Sequence, residues 1–187
     1  MLTYNKMTYY IGGFGETCNS DASKKLREFG AQCIPVDWGR SLSENIRKLN
    51  AIEDGAILVS FSLGAVIALE LCVDYPNKVQ SMIICSLSPY SGCPPEDIPK
   101  EVCEILGQGK IDELSSLDFK KYYQIDIPVT FLYGENENQE TKNKIRILHE
   151  NWKCPNKKII EIKSARHNIH EKVYLDSIIS LIEKHSA

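Results

Sequence analysis

The sequence predicts an α/β protein built on a mostly parallel sheet of about six strands, with helices on both faces. Two observations predict it. Short β-type runs alternate with helical stretches along the chain, and strand–helix–strand order requires crossover connections between parallel strands. The runs AILVS (56–60) and MIICSL (82–87) lack polar alternation, as central strands covered on both sides do. At 187 residues the chain is most simply one domain, 1–187, large enough to bury a real core.

The elements follow in order. MTYYI (7–11) reads as a strand, DASKKLREFG (21–30) as a helix and QCIPV (32–36) as a strand. SLSENIRKLN (41–50) is helical, AILVS (56–60) is a strand, and LGAVIALELCVDY (63–75) continues from it with helical spacing. VQSMIICSL (79–87), IPVTFLYG (127–134) and KKIIEIK (157–163) supply the remaining strands, with helices over 140–152 and 171–185. The one interruption, 88–126, holds helix-like pieces near 95–106 and 110–123 bounded by prolines and Gly107-Gln108-Gly109. It reads as a small cap inserted over the sheet.

The charge balance narrows function. A net charge of −3 gives no support to nucleic-acid or membrane-surface binding, which would bring a basic excess. No apolar run is long enough to cross a bilayer, and the start MLTYNKMTYYIGG lacks the apolar core of a leader peptide. Cys18, Cys33, Cys72, Cys85, Cys93, Cys103 and Cys154 are scattered, odd in number and without a CxxC pair. That pattern predicts neither a disulfide framework nor a zinc site, and a reducing cytoplasm is the expected setting. No feature bears on oligomeric state.

In an open parallel sheet, ligands bind beyond the carboxyl ends of the strands. The loops there carry Gly12-Gly13-Phe14-Gly15, Asp37-Trp38-Gly39-Arg40-Ser41, Phe61-Ser62-Leu63-Gly64, Glu135-Asn136-Glu137-Asn138 and Ser164-Ala165-Arg166-His167. A serine, two carboxylates and a histidine therefore leave one edge in the order Ser, acid, His. Ser62 has a plainer reading as the N-cap of the helix that follows. His149, His170 and His185 read as surface or capping residues, and Asp37 as a loop-shaping group. The glycine loop lacks the G-K-[ST] ending of a phosphate loop.

These loops resemble those of the α/β-hydrolase family, and the resemblance runs from MTYYIGGFG to the final helix. Ser60-Phe61-Ser62-Leu63-Gly64 is similar to the G-x-S-x-G nucleophile elbow, with a small serine in place of the first glycine. Gly12-Gly13-Phe14-Gly15 resembles the His-Gly-x-Gly oxyanion loop, and Asp37 to Ser41 a shortened D-x-x-G-H-G-x-S loop. The sequence starts close to what would be the family's third strand, so a reduced three-layer α/β-hydrolase fold is expected. The resemblance implies Ser62 as nucleophile, His167 as base, and the Leu63 and Phe14 backbones as oxyanion donors. The family's G-x-x-D spacing lands on Glu137, with Glu135 two residues away as the alternative acid. Gly13, Tyr90 and Arg166 are the expected substrate contacts. Arg166 has two readings, a surface salt bridge or a partner for an anionic group on the substrate or its carrier. Ile98, Val102, Ile105 and Leu106 would line an acyl pocket.

The implied activity is a serine hydrolase that cleaves a carboxylic ester or thioester of short to medium acyl length through an acyl-enzyme, without metal or cofactor. The acyl group is free or carried on an acyl carrier, and the likeness extends loosely to pimeloyl-carrier-protein methyl ester esterases. The alternative is a non-catalytic or regulatory binding protein on the same fold.

Overall fold

A computed structural model describes residues 7–186, with side chains for 7–184. The first six residues and the His185 side chain, both used above, lie outside the described residues. Strands β1 (Thr8–Ile11), β2 (Ala31–Ile34), β3 (Ala56–Phe61), β4 (Val79–Cys85), β5 (Val129–Gly134) and β6 (Lys157–Ile162) form one sheet in the order β2-β1-β3-β4-β5-β6. Every pairing is parallel. Helices are α1 (Asp21–Glu28), α2 (Leu42–Leu49), α3 (Leu63–Asp74), α4 (Lys100–Leu106), α5 (Gln108–Ser115), α6 (Gln139–Asn151) and α7 (Lys172–Ser186).

Period-2 geometry divides the strand side chains between two cores. Ile11, Leu58, Met82, Ile84, Phe131 and Tyr133 face α2, α3 and α6. Their neighbours Tyr10, Val59, Ile83, Cys85 and Leu132 face α1 and α7. The result is the expected three-layer sandwich. Ten of the twelve residues of α3 are buried, which explains why it is apolar on every side. Because β2 and β3 flank β1 on opposite sides, the loops after β1 and β3 diverge, and a crevice opens between them at the strand ends.

Prolines trim the predicted elements. Pro35 has no N–H for the ladder, so β2 stops at Ile34, and β5 begins only after Pro128. The piece expected over 95–106 is broken, because Ile98 precedes Pro99 and is held extended (φ −88°, ψ 127°). A 3₁₀ turn (Pro95–Asp97) comes before that break and α4 after it. The piece expected over 110–123 likewise divides into α5 and a 3₁₀ turn (Phe119–Gln124), whose start Asp118 caps through the Lys120 N–H.

Polar latches fasten this 88–126 segment. Buried Lys110 donates to the Arg40 carbonyl (2.6 Å) and pairs with Glu113 (2.7 Å), while Glu113 accepts the Leu42 N–H. The Tyr122 hydroxyl donates to Glu70 of α3, and Lys121 joins the same carboxylate at 2.8 Å.

One expectation about the cysteines is overturned. Cys18 and Cys33 form a disulfide, with Cα atoms 5.4 Å apart. Cys18 lies in the loop after β1 and Cys33 near the end of β2, so parallel pairing of β1 and β2 brings the two together. Their separation of 15 residues carries no motif that announces this. The bridge also removes the ground on which a reducing compartment was inferred. Among the described residues no helix is long and apolar enough to cross a membrane.

Candidate active site

Ser62 sits at the join of β3 and α3 with φ 53° and ψ −120°. An N-cap residue adopts β-region angles and lends its side chain to the first turn. Ser62 does neither, for its hydroxyl makes no capping bond, whereas α1, α2 and α6 are capped by Ser20, Ser41 and Asn138. The tight turn is possible because Gly64 packs on the β1 backbone: a Cβ there would lie 2.3 Å from the Gly12 carbonyl oxygen. The turn is tied down by the Ser62 N–H, which donates to the Cys85 carbonyl at 3.0 Å.

The freed hydroxyl lies 2.9 Å from His167 Nε2. His167 Nδ1 lies 2.8 Å from Glu137 Oε2, and the Glu137 side chain is fully buried. Glu135 is exposed and accepts the Ser164 N–H at 2.9 Å, so it is Glu137 that meets the histidine. A carboxylate only accepts, so Nδ1 carries the proton and Nε2 presents its lone pair to Ser62. Phe61 packs against the imidazole with ring centroids 5.1 Å apart and meets Tyr174 edge-on at 6.0 Å.

Gly13 backs directly on the serine, since a Cβ there would lie 3.1 Å from Ser62 Cβ. Among the described residues the Phe14 N–H donates to no protein acceptor. Leu63 opens α3, where no carbonyl lies one turn earlier to accept its N–H. Both are therefore available as donors, and the positive end of α3 favours negative charge at the same place.

A cavity of about 440 Å³ opens beside Ser62 and His167, walled by Phe14, Leu63, Tyr90, Val102, Ile105 and Leu106. Ile98 is not in that wall and is buried elsewhere, a correction that follows from the Pro99 break. Arg166 is exposed, lies outside the wall and forms no ion pair among the described residues, so its expected salt bridge is absent. Asp37 shapes its loop as read, accepting from the Gly39 N–H and Arg40, and the Arg40 bond holds its carboxyl below the usual range. His170 pairs with Glu16 at 2.6 Å. His149 stays partly exposed on α6 as expected and meets Phe131 edge-on, and its partial burial lowers its basicity.

Two residues at the site went unread in the sequence. Ser86 follows β4 with φ 44°, donates to Glu137 Oε1 and lies 2.6 Å from the buried Tyr174 hydroxyl. A lone serine after a strand and a tyrosine in an amphipathic helix carry no motif that could have singled them out.

No family model and no curated protein matches the sequence. Solved structures do resemble it in fold. A monoacylglycerol lipase of Paleococcus ferrophilus is 16% identical over 95% of this chain and 94% of its own, with a TM-score of 0.73. Mouse alpha/beta hydrolase domain-containing protein 10 is 16% identical over 95% and 88%, at 0.76. Est1E of Butyrivibrio proteoclasticus is 13% identical over 98% and 88%, at 0.73. At such identities the likeness is one of fold.

Proposed function

On this α/β-hydrolase fold, we propose that the protein is a serine hydrolase cleaving a carboxylic ester or thioester of short to medium acyl length. The observation that carries the reading is the continuous Ser62–His167–Glu137 chain, with contacts of 2.9 and 2.8 Å, built on a strained, uncapped serine. Esterases and lipases among proteins of similar fold support it at the coarser level of ester hydrolysis.

Each group has a defined task. His167 Nε2 takes the Ser62 proton as Oγ attacks the acyl carbon, and the new imidazolium is stabilised by Glu137. The developing oxyanion is held by the Phe14 and Leu63 N–H groups; one such donor contributes about 3–4 kcal/mol to lowering the barrier. His167 then gives its proton to the leaving alcohol or thiol. A water activated by the same nitrogen releases the acid and restores Ser62.

The 88–126 segment serves as a small cap. Its α4 side chains leave an apolar cavity suited to an acyl chain of modest length, with Ile105 66% exposed at the rim. Arg166 is not assigned to the acyl group, but its open position leaves it able to meet a carrier outside the cavity. The test is a fluorophosphonate label followed by a chain-length series of esters and acyl-thioesters, run with wild type and Ser62→Ala. Labelling at Ser62, with a rate optimum at short or medium chains, is the expected result. A wild type that neither labels nor turns over any substrate would overturn the reading and leave a binding protein on a hydrolase fold.

A further inference from the structure

Three non-glycine residues among those described have positive φ: Ser62, Ser86 and Ser164, each just beyond a strand of the sheet. Ser62 is accounted for by the elbow. Ser86 is not, and its strain has a specific consequence.

Along β4 the side chains alternate: Met82 and Ile84 face α3, while Ile83 and Cys85 face α7. An extended residue 86 would point toward α3. Its left-handed φ of 44° breaks the alternation, and the hydroxyl instead meets Tyr174 of α7 and Glu137. Strain held at a residue buried to 0% exposure indicates that the surroundings over-determine it.

The proton inventory fixes the direction of the network. Glu137 Oε2 accepts from His167 Nδ1–H, and Oε1 accepts from Ser86. The single Ser86 proton is thus committed to the carboxylate, so Ser86 Oγ accepts from Tyr174, whose other acceptor, the Leu132 carbonyl, is farther away at 3.3 Å. Burial pushes the Tyr174 phenol far up, which keeps it a donor. Every proton in the chain points toward Glu137.

A glutamate needs such a clamp. It carries one more rotatable bond than the aspartate usual in this family, and each free torsion loosens the carboxylate. We propose that Ser86, itself held by Tyr174, is a positioning residue that locks Glu137 through its far oxygen and so fixes the tautomer and aim of His167. This rests on the Ser62–His167–Glu137 reading above.

The experiment uses Ser86→Gly, which tolerates positive φ and removes only the hydroxymethyl group, with Ser86→Cys and Tyr174→Phe beside it. Ester turnover and the pH dependence of fluorophosphonate labelling are measured together with the downfield Nδ1–H resonance of His167. Ser86→Gly should lower kcat by about 10- to 100-fold with KM nearly unchanged, as a misplaced catalytic group does. Without the Oε1 donor, negative charge concentrates toward His167, so the acid limb of the rate profile should move to higher pH and the resonance should shift. Tyr174→Phe should act in the same direction more weakly, and Ser86→Cys should recover part of the loss. A Ser86→Gly protein with wild-type kcat, pH limb and resonance would overturn the proposal, since a purely conformational serine is replaced well by glycine. If Ser62→Ala keeps full turnover, the hydrolase reading fails instead, and the resonance alone decides whether Ser86 governs the Glu137–His167 contact.

Discussion

The strand-end cluster and the 88–126 segment meet at one cavity but are held by different means. Ser62, Ser86, Glu137 and His167 follow four neighbouring strands, β3 to β6, and strain at Ser62 and Ser86 is absorbed by a sheet buried on both faces. The 88–126 segment has short helices and breaks at Pro99; it is anchored by buried Leu114, Tyr122 and Ile125 and by polar latches, Lys110 to the Arg40 carbonyl, Glu113 to the Leu42 N–H and Tyr122 to Glu70. For the proposed hydrolase, this difference assigns reaction geometry to the strand-end cluster and substrate fit to the 88–126 segment.

The sharpest break in that comparison comes from the cluster itself. Ser62→Ala or His167→Ala should each lower kcat by about 10⁴-fold or more, with the double variant little worse, because groups acting as a unit are not additive. Melting temperatures near wild type would place the loss in the chemistry.

Next in size is the acid. Glu137→Gln should cost about 10³- to 10⁴-fold by leaving His167 in the wrong tautomer. Glu135→Gln, which perturbs only the Ser164 contact, should cost less than about 10-fold in steady-state assays. Equal losses would mean that the buried contact is not the one that matters.

The other region should respond through stability and KM. Tyr122→Phe strips a donor from the buried Glu70 and should cost about 1–3 kcal/mol. That corresponds to a fall of roughly 2–12 °C in Tm for a chain of this size, read by calorimetry. Ile105→Arg at the cavity rim should raise KM for longer acyl esters by roughly 5- to 10-fold, about the value of one or two buried methylenes.

The smallest effect lies outside both regions. Burial depresses His149, so the unfolded chain takes up its proton first, near about pH 6.5. The stability linked to this group is present above that pH and is lost as pH falls toward the lower folded value. In urea melts between pH 7.5 and 5.5, His149→Gln should show a slightly flatter dependence than wild type.

The Pro99 break and the Gly64 contact show how far local pattern reaches. A proline disfavours helix at the residue before it, so the division of 95–106 was readable in principle from Ile98-Pro99. Gly64 is small because the Gly12 carbonyl lies against it, and the S-x-S-x-G spacing records that need directly. Cys18 and Cys33 leave no such trace, since their meeting depends on how β1 lies beside β2.

By itself the sequence determined the alternation of strands and helices, the buried character of β3, β4 and α3, and the order of serine, acid and histidine on strand-end loops. Those properties are local, written in side-chain periodicity and in the small residues a tight turn demands. Only the tertiary structure decided between Glu137 and Glu135, left Arg166 outside the cavity, and recruited Ser86 and Tyr174. The choice between the glutamates turns on which of two side chains from one loop points under the histidine. That direction is set by the neighbouring ends of β4, β5 and β6 and by α7, 37 residues farther along the chain than Glu137 in the case of Tyr174. No local pattern encodes the meeting of such distant groups, because it is the packing of the sheet against α7 that brings them within hydrogen-bond reach.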